Sequence, residues 1–222
     1  MHGRAMSITP CRFIKMTRKI IFVIIFFSIL FSACGNPGDG FGYSVDDGKV
    51  TITRYAGNSK NIVIPSEIYG MPVVTINGGA FSGLGLTSVV IPGSVTSIRM
   101  AAFYPNQLTS VVISNSVTAI GEWAFASNKL TSVIIPNSVT SIDTKTFYYN
   151  QLSSVVIPDS VVNIGESAFE HNQLANIDIP ASVVFIDAFA FSENKIIRVV
   201  IPDSVDDLSP YAFDDNVEII RR

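Results

Sequence analysis

The feature that most restricts this chain is a self-similarity of period 22. The dipeptide Ala-Phe ends at Phe81, Phe103, Phe125, Phe169, Phe191 and Phe213, and Thr146-Phe147 fills the one gap. Other columns keep the same phase. Asn recurs at 106, 128, 150, 172, 194 and 216, and Val at 95, 117, 139, 161, 183 and 205. A branched apolar residue recurs at Leu86, Leu108, Leu130, Leu152, Leu174 and Ile196. A fixed period in the range of 20 to 50 residues marks stacked repeats and not a single globular core. One such unit buries too few apolar side chains to offset the ordering of its backbone, so the units must share strands and hydrogen bonds with their neighbours.

The columns shape one coil. In Leu108-Thr109-Ser110-Val111-Val112-Ile113 the apolar places follow L-x-x-L-x-L. The alternation turns Val111 and Ile113 inward and Ser110 and Val112 outward. Pro at 92, 136, 158, 180 and 202 ends the ladder, because it has no N–H to donate. A serine two places later can bond turn backbone. A second short extended segment follows, and then a turn column of Gly121, Asp143, Gly165 and Asp187, types that tolerate left-handed backbone. The fold expected is mainly β: a right-handed solenoid of 22-residue coils with short parallel strands. Residues 43–55, centred on Asp47-Gly48, read as a β-hairpin that covers the first coil. Residues 62–65 read as an irregular first strand, because Pro65 and Pro92 are 27 apart, and residues 217–220 as a last one.

The N-terminal part reads as an address. Thr17-Arg18-Lys19 precedes the apolar run 20–31 (IIFVIIFFSILF), and Ser32-Ala33 precede Cys34, the order of a secretory signal over residues 1–33. Residues 1–15 have no place in such a signal, which makes Met16 an alternative start. The stretch Phe31-Ser32-Ala33-Cys34 resembles the bacterial lipobox, which implies diacylation of Cys34; a plain signal peptide or an uncleaved anchor, with Cys34 incidental, is the alternative. The stretch departs from the lipobox pattern in holding Phe31, with Leu30 one step back, where leucine is usual. Residues 34–42 are glycine-rich and read as a flexible tether. The solenoid occupies residues 43–222.

Charge and chemistry narrow the function. A chain beginning at Cys34 has 10 Lys+Arg against 18 Asp+Glu, a net of -8, which argues against a nucleic-acid partner. Both cysteines, Cys11 and Cys34, precede the repeats, so the repeats hold neither a disulfide framework nor a zinc site. His171 is the one histidine after Cys34, and its column elsewhere holds Pro105, Ser127, Tyr149, Glu193 and Asp215, so it reads as a solvated loop residue. The Asp pairs lack the ligand spacing of a calcium loop, and no phosphate-cradling glycine loop occurs. Neither a cofactor nor a metal is expected, and the chain reads as non-catalytic.

Two surfaces are candidates for binding. Val112, Ile134 and Val156 form an outward strand stripe together with Val90 and Val200, interrupted by Asp178. Tyr104, Trp123, Tyr148, Tyr149, Phe189 and Tyr211 form an aromatic ridge around the Ala-Phe corner. Strand preference alone would also supply the first, and packing between coils the second.

The stretches LTSVVIPGSVTSI, LTSVIIPNSVTSI and AFASNKLTS, with the N-terminal segment DGKVTITRYAGNSKNIVIPSEIYGMPVVTINGGAF, resemble the BspA-like, Treponema-type leucine-rich repeats of bacterial surface proteins. The resemblance covers residues 43–222, although family units are commonly one residue longer. It implies a cell-surface protein that binds a host matrix or bacterial surface protein as an adhesin; with the lipobox-like stretch at Cys34, the expected location is the cell envelope, lipid-anchored at the outer membrane or cell surface. A scaffolding lipoprotein of the periplasm is the alternative. The resemblance supplies no catalytic residues.

Overall fold

A computed structural model describes residues 40–222. The signal expected over 1–33, the acylation expected at Cys34 and most of the tether lie outside the described residues. Among the described residues every regular element is a strand.

Strands β1 (Phe41–Asp46) and β2 (Lys49–Tyr55) pair antiparallel. Asp47 and Gly48 between them have φ of 46° and 68°, as a two-residue Asp-Gly turn requires. β1 takes in Phe41 and Gly42, which the glycine-rich composition assigns to the tether. The reason is packing: the Phe41 ring lies 5.0 Å from Tyr55 and 6.2 Å from Phe81, so it joins the core. Next come β3 (Asn61–Val63), β4 (Glu67–Ile68) and β5 (Met71–Ile76). The small hairpin of β4 and β5 takes up the extra residues of the first interval, and β3 still finds its partner 27 residues on, Ile62 opposite Val89.

Each regular coil then contributes two short strands. They are β6 (Ser88–Val90) and β7 (Ser97–Ile98), then β8 (Ser110–Val112) and β9 (Ala119–Ile120). β10 (Ser132–Ile134) and β11 (Ser141–Ile142) follow, then β12 (Ser154–Val156) and β13 (Asn163–Ile164). The next coil supplies only β14 (Phe185–Ile186), and the last are β15 (Arg198–Ile201), β16 (Asp207–Leu208) and β17 (Glu218–Arg221). Parallel partners in regular coils are 22 residues apart, as in Ser88 with Ser110, Ser132 with Ser154 and Asn163 with Phe185. Residues 176–178 form no strand, although Ile177 and Ile179 stay buried. Asn176 stands where the four coils before it have Ser, and Asp178 where every other coil has Val or Ile, and both are poor strand formers.

The interior is a row of rings. Phe81, Phe103, Phe125, Phe147, Phe169, Phe191 and Phe213 stack with centroid separations of 5.1, 5.2, 5.7, 5.6, 5.4 and 5.1 Å. Neighbouring planes differ by no more than 11°. Such pairs add about 0.5–1.5 kcal/mol each beyond area burial.

Polar ladders run beside the rings. Asn106, Asn128, Asn150, Asn172 and Asn194 each accept, at Oδ1, the N–H of the leucine at the start of the preceding coil's strand segment, Leu86 to Leu174. Each Nδ2 donates to two phenylalanine carbonyls, one in its own coil and one in the coil before. This joins coils through buried backbone that would otherwise lack partners. The serines act between coils as well, not within their own turn. Ser116, Ser138, Ser160 and Ser182 donate to the Val95, Val117, Val139 and Val161 carbonyls of the preceding coil at 2.5–2.7 Å.

The turn column is corrected by the backbone. Gly121 and Gly165 do not have positive φ. They are required by close approach: a Cβ on Gly121 would meet Met100 N at 2.8 Å, and one on Gly165 would meet Thr144 N at 2.9 Å. The left-handed residues lie farther on.

Candidate functional site: an aromatic ridge on the corner

Two columns of left-handed backbone shape the corner. The first is Gly79, Ala101, Trp123, Lys145, Ser167 and Phe189, and the second is Gly83, Ser127, Tyr149, His171 and Glu193. Pro105 stands in the second column where a ring-locked φ forbids the conformation. The conformation aims N–H groups at the next coil: Trp123 donates to Thr144 O at 3.1 Å, and Tyr149 to Glu170 O at 3.0 Å. Only the first coil uses glycine at both places. For other residues the left-handed well costs roughly 1–2 kcal/mol each, and bulky ones are unusual there.

These placements turn rings outward along the corner. Tyr104 lies 5.7 Å from Trp123, and Trp123 lies 5.8 Å from Tyr148, both edge to face. Tyr148, Tyr149 and His171 form a triangle with sides of 6.0, 5.5 and 5.6 Å. Tyr104, Trp123, Tyr148, Tyr149 and His171 are thus one contiguous ring system along neighbouring coils. Tyr104, Trp123, Tyr148 and His171 are half-buried, whereas Tyr149 is 59% exposed. Phe189 and Tyr211 pair separately at 5.9 Å and are both exposed. His171 keeps 37% of its side chain exposed, and its ring also packs edge-on against both tyrosines, a contact its column does not suggest. The signal that could have revealed this is the glycine at Gly83, 22-fold in phase with Tyr149 and His171.

Charges sit against these rings. Lys145 Nζ lies 4.9 Å from the Trp123 ring centroid and 3.9 Å from Glu166 Oε1. Glu170 Oε1 lies 3.7 Å from His171 Nε2. Burial, and then the Glu170 carboxylate, raise the Tyr148 pKa above its ordinary value.

The strand stripe lies elsewhere on the coil. Val112, Ile134 and Val156 are 62%, 73% and 59% exposed. Val156 is the register partner of Ile134, and Val112 the partner of Val90. Asp178 interrupts the stripe in the coil without a strand. Among the described residues no group of three or more His, Cys, Asp or Glu could hold a metal ion, and no helix is long and apolar enough to cross a membrane.

Stacked coils of one period, an aromatic interior row and two short strands in most coils define a leucine-rich-repeat solenoid. The BspA type leucine rich repeat region, in 6 copies, matches residues 54–172 and 140–221, and the chain belongs to that family. Among solved structures it is similar to a leucine-rich repeat protein from Bacteroides ovatus, at 20% identity and a TM-score of 0.52 over 82% of this chain and 66% of the other. A leucine-rich repeat protein from Eubacterium ventriosum is similar with the same identity, TM-score and coverage. The chain thus spans just under two thirds of each, 66%. No curated protein matches the sequence significantly.

Proposed function

We propose that this chain is a non-catalytic, adhesin-like protein-binding module, held at the surface of a bacterial envelope by a lipid on Cys34. The carrying observation is the contiguous ring system from Tyr104 to His171. Half-exposed aromatic side chains on a rigid scaffold are the groups that anchor protein interfaces, because they cover large area with few rotors to freeze. Family membership supports a repeat scaffold used for binding. The basic, apolar and small-residue order before Cys34 supports export and acylation. Phe189 and Tyr211 extend the surface, and the stripe of Val112, Ile134 and Val156 offers a second face for the same partner.

The location is tested with antibody labelling of intact cells that express the full chain, and with incorporation of labelled fatty acid by the chain and by Cys34→Ala. Labelling of intact cells and loss of the lipid signal in Cys34→Ala are expected. Labelling only after lysis would point to the periplasmic scaffold instead. Binding is tested by capture from host matrix and bacterial surface extracts with the full chain, Trp123→Ala, Tyr149→Ala and Val112→Ala. Retention of every captured protein by both aromatic variants would refute the ridge as the binding face.

A further inference from the structure

The ridge also restricts the chemistry of its partner, an inference that rests on the binding role proposed above. Lys145 Nζ lies over the Trp123 ring at 4.9 Å and beside the Glu166 carboxylate at 3.9 Å. A ring face and a carboxylate thus already hold one cation, supplied by the chain itself. One coil further on, the ring faces and the carboxylate recur without a lysine. Tyr148, Tyr149 and His171 meet there, and the Glu170 side chain is drawn in among them with 19% exposure. Cations are attracted to aromatic faces, and the more so beside a carboxylate; at Glu170 that carboxylate faces His171 Nε2 at 3.7 Å. The surrounding corners carry Glu122, Asp143, Glu166, Glu170, Asp187 and Glu193 against Arg99 and Lys145, with Lys129 and Lys195 two residues beyond the second left-handed column. The strand face differs: Ser110, Val112, Ser132, Ile134, Ser154 and Val156 are all uncharged. The ring placements are not what the backbone prefers, since the first coil fills the same places with Gly79 and Gly83.

We infer that the corner ridge binds a basic stretch of its partner protein, with a cationic side chain over the exposed Tyr149 ring and beside Glu170, next to the place on Trp123 that Lys145 fills. Arginine suits the site better than lysine, because its planar guanidinium stacks on rings and pairs with a carboxylate through two N–H groups.

The chain has one tryptophan, so its fluorescence reports on this site. The full chain in a non-ionic detergent is titrated with oligo-arginine, oligo-lysine and oligo-serine peptides of equal length. A saturable change in Trp123 emission is expected with oligo-arginine, a weaker one with oligo-lysine and none with oligo-serine. The substitution Glu170→Gln should weaken oligo-arginine binding about tenfold, as loss of one charge-assisted contact implies. Asp206→Asn, Asp207→Asn, remote from the ridge in sequence, should leave it unchanged. No response to oligo-arginine, an equal response to oligo-serine, or equal weakening by the remote pair would overturn the inference. If Trp123-dependent capture of a protein persists while oligo-arginine is ignored, the binding role stands and the basic partner does not.

Discussion

Removing one rung of the asparagine ladder should cost far more than its surface area suggests. Asn150 Oδ1 is the acceptor for the Leu130 N–H at 3.1 Å, and its Nδ2 donates to Phe125 O at 2.9 Å and Phe147 O at 3.2 Å. The two carbonyls keep a second donor each in Asn150→Ala: Asn128 Nδ2 still reaches Phe125 O, and Asn172 Nδ2 still reaches Phe147 O. The Leu130 N–H keeps nothing, and it lies against a side chain with no exposure. An orphaned buried donor costs about 1–3 kcal/mol, and the lost donor bonds add about 0.5–1.5 kcal/mol net. The sum, about 2–4 kcal/mol, converts to a fall in Tm of about 4–16 °C for a domain of this size. Asn216, in the same column but exposed, is the control. Thermal unfolding of the full chain followed by circular dichroism makes the comparison. A fall in Asn150→Ala no larger than in Asn216→Ala would refute the claim that this ladder binds coil to coil.

Four other outcomes are expected. Ser182→Ala should lose about 0.5–1.5 kcal/mol with its bond to Val161 O; Ser204→Ala should be neutral or stabilising, because its buried hydroxyl has no partner, and equal denaturant midpoints for the two would contradict this. Gly121→Ala should destabilise by about 1–3 kcal/mol, since the new methyl meets Met100 backbone at 2.8 Å; an unchanged midpoint would show that the coils can part without cost. Phe125→Ala should cost about 3–5 kcal/mol through the cavity left in the ring row, whereas Trp123→Ala should cost less and abolish capture; equal thermal losses with capture intact would reverse that assignment. The Tyr148 phenol holds its proton above the usual 10.0, by burial first and by Glu170 second. Its contribution to stability is therefore whole below pH 10 and is lost as pH rises through the raised folded-state value. An ultraviolet phenolate titration should lose a late-ionising component in Tyr148→Phe.

What the sequence made legible was whatever repeats. The phenylalanine row, the asparagine ladder and the outward Val112, Ile134 and Val156 follow from columns in phase, because stacking forces equal residues into equal places. The Asp-Gly hairpin followed from local turn chemistry. The left-handed columns were hidden, because Ala101, Trp123, Lys145 and Tyr149 share no property a column would display; only Gly79 and Gly83 carry the hint. The role of His171 was hidden for the same reason. Its neighbours in the column are surface types, and its contact with Tyr148 depends on a backbone turn that pattern alone does not reveal. The glycines around Phe41 point to a tether, and nothing local points to Tyr55 and Phe81, the partners that hold it. The coil lacking a first-row strand was marked only by Asp178, which was legible as a gap in the stripe and not as a lost strand.

Binding through the corner ridge is tested most directly by a photoreactive benzophenone side chain placed at Tyr149, at Val112 or at Asp159, each exposed, in the full chain on intact cells. Irradiation in the presence of matrix or neighbouring-cell proteins should give an adduct from position 149 that Trp123→Ala suppresses, and none from position 159. Adducts of equal yield from all three positions, or from 112 alone, would contradict the account.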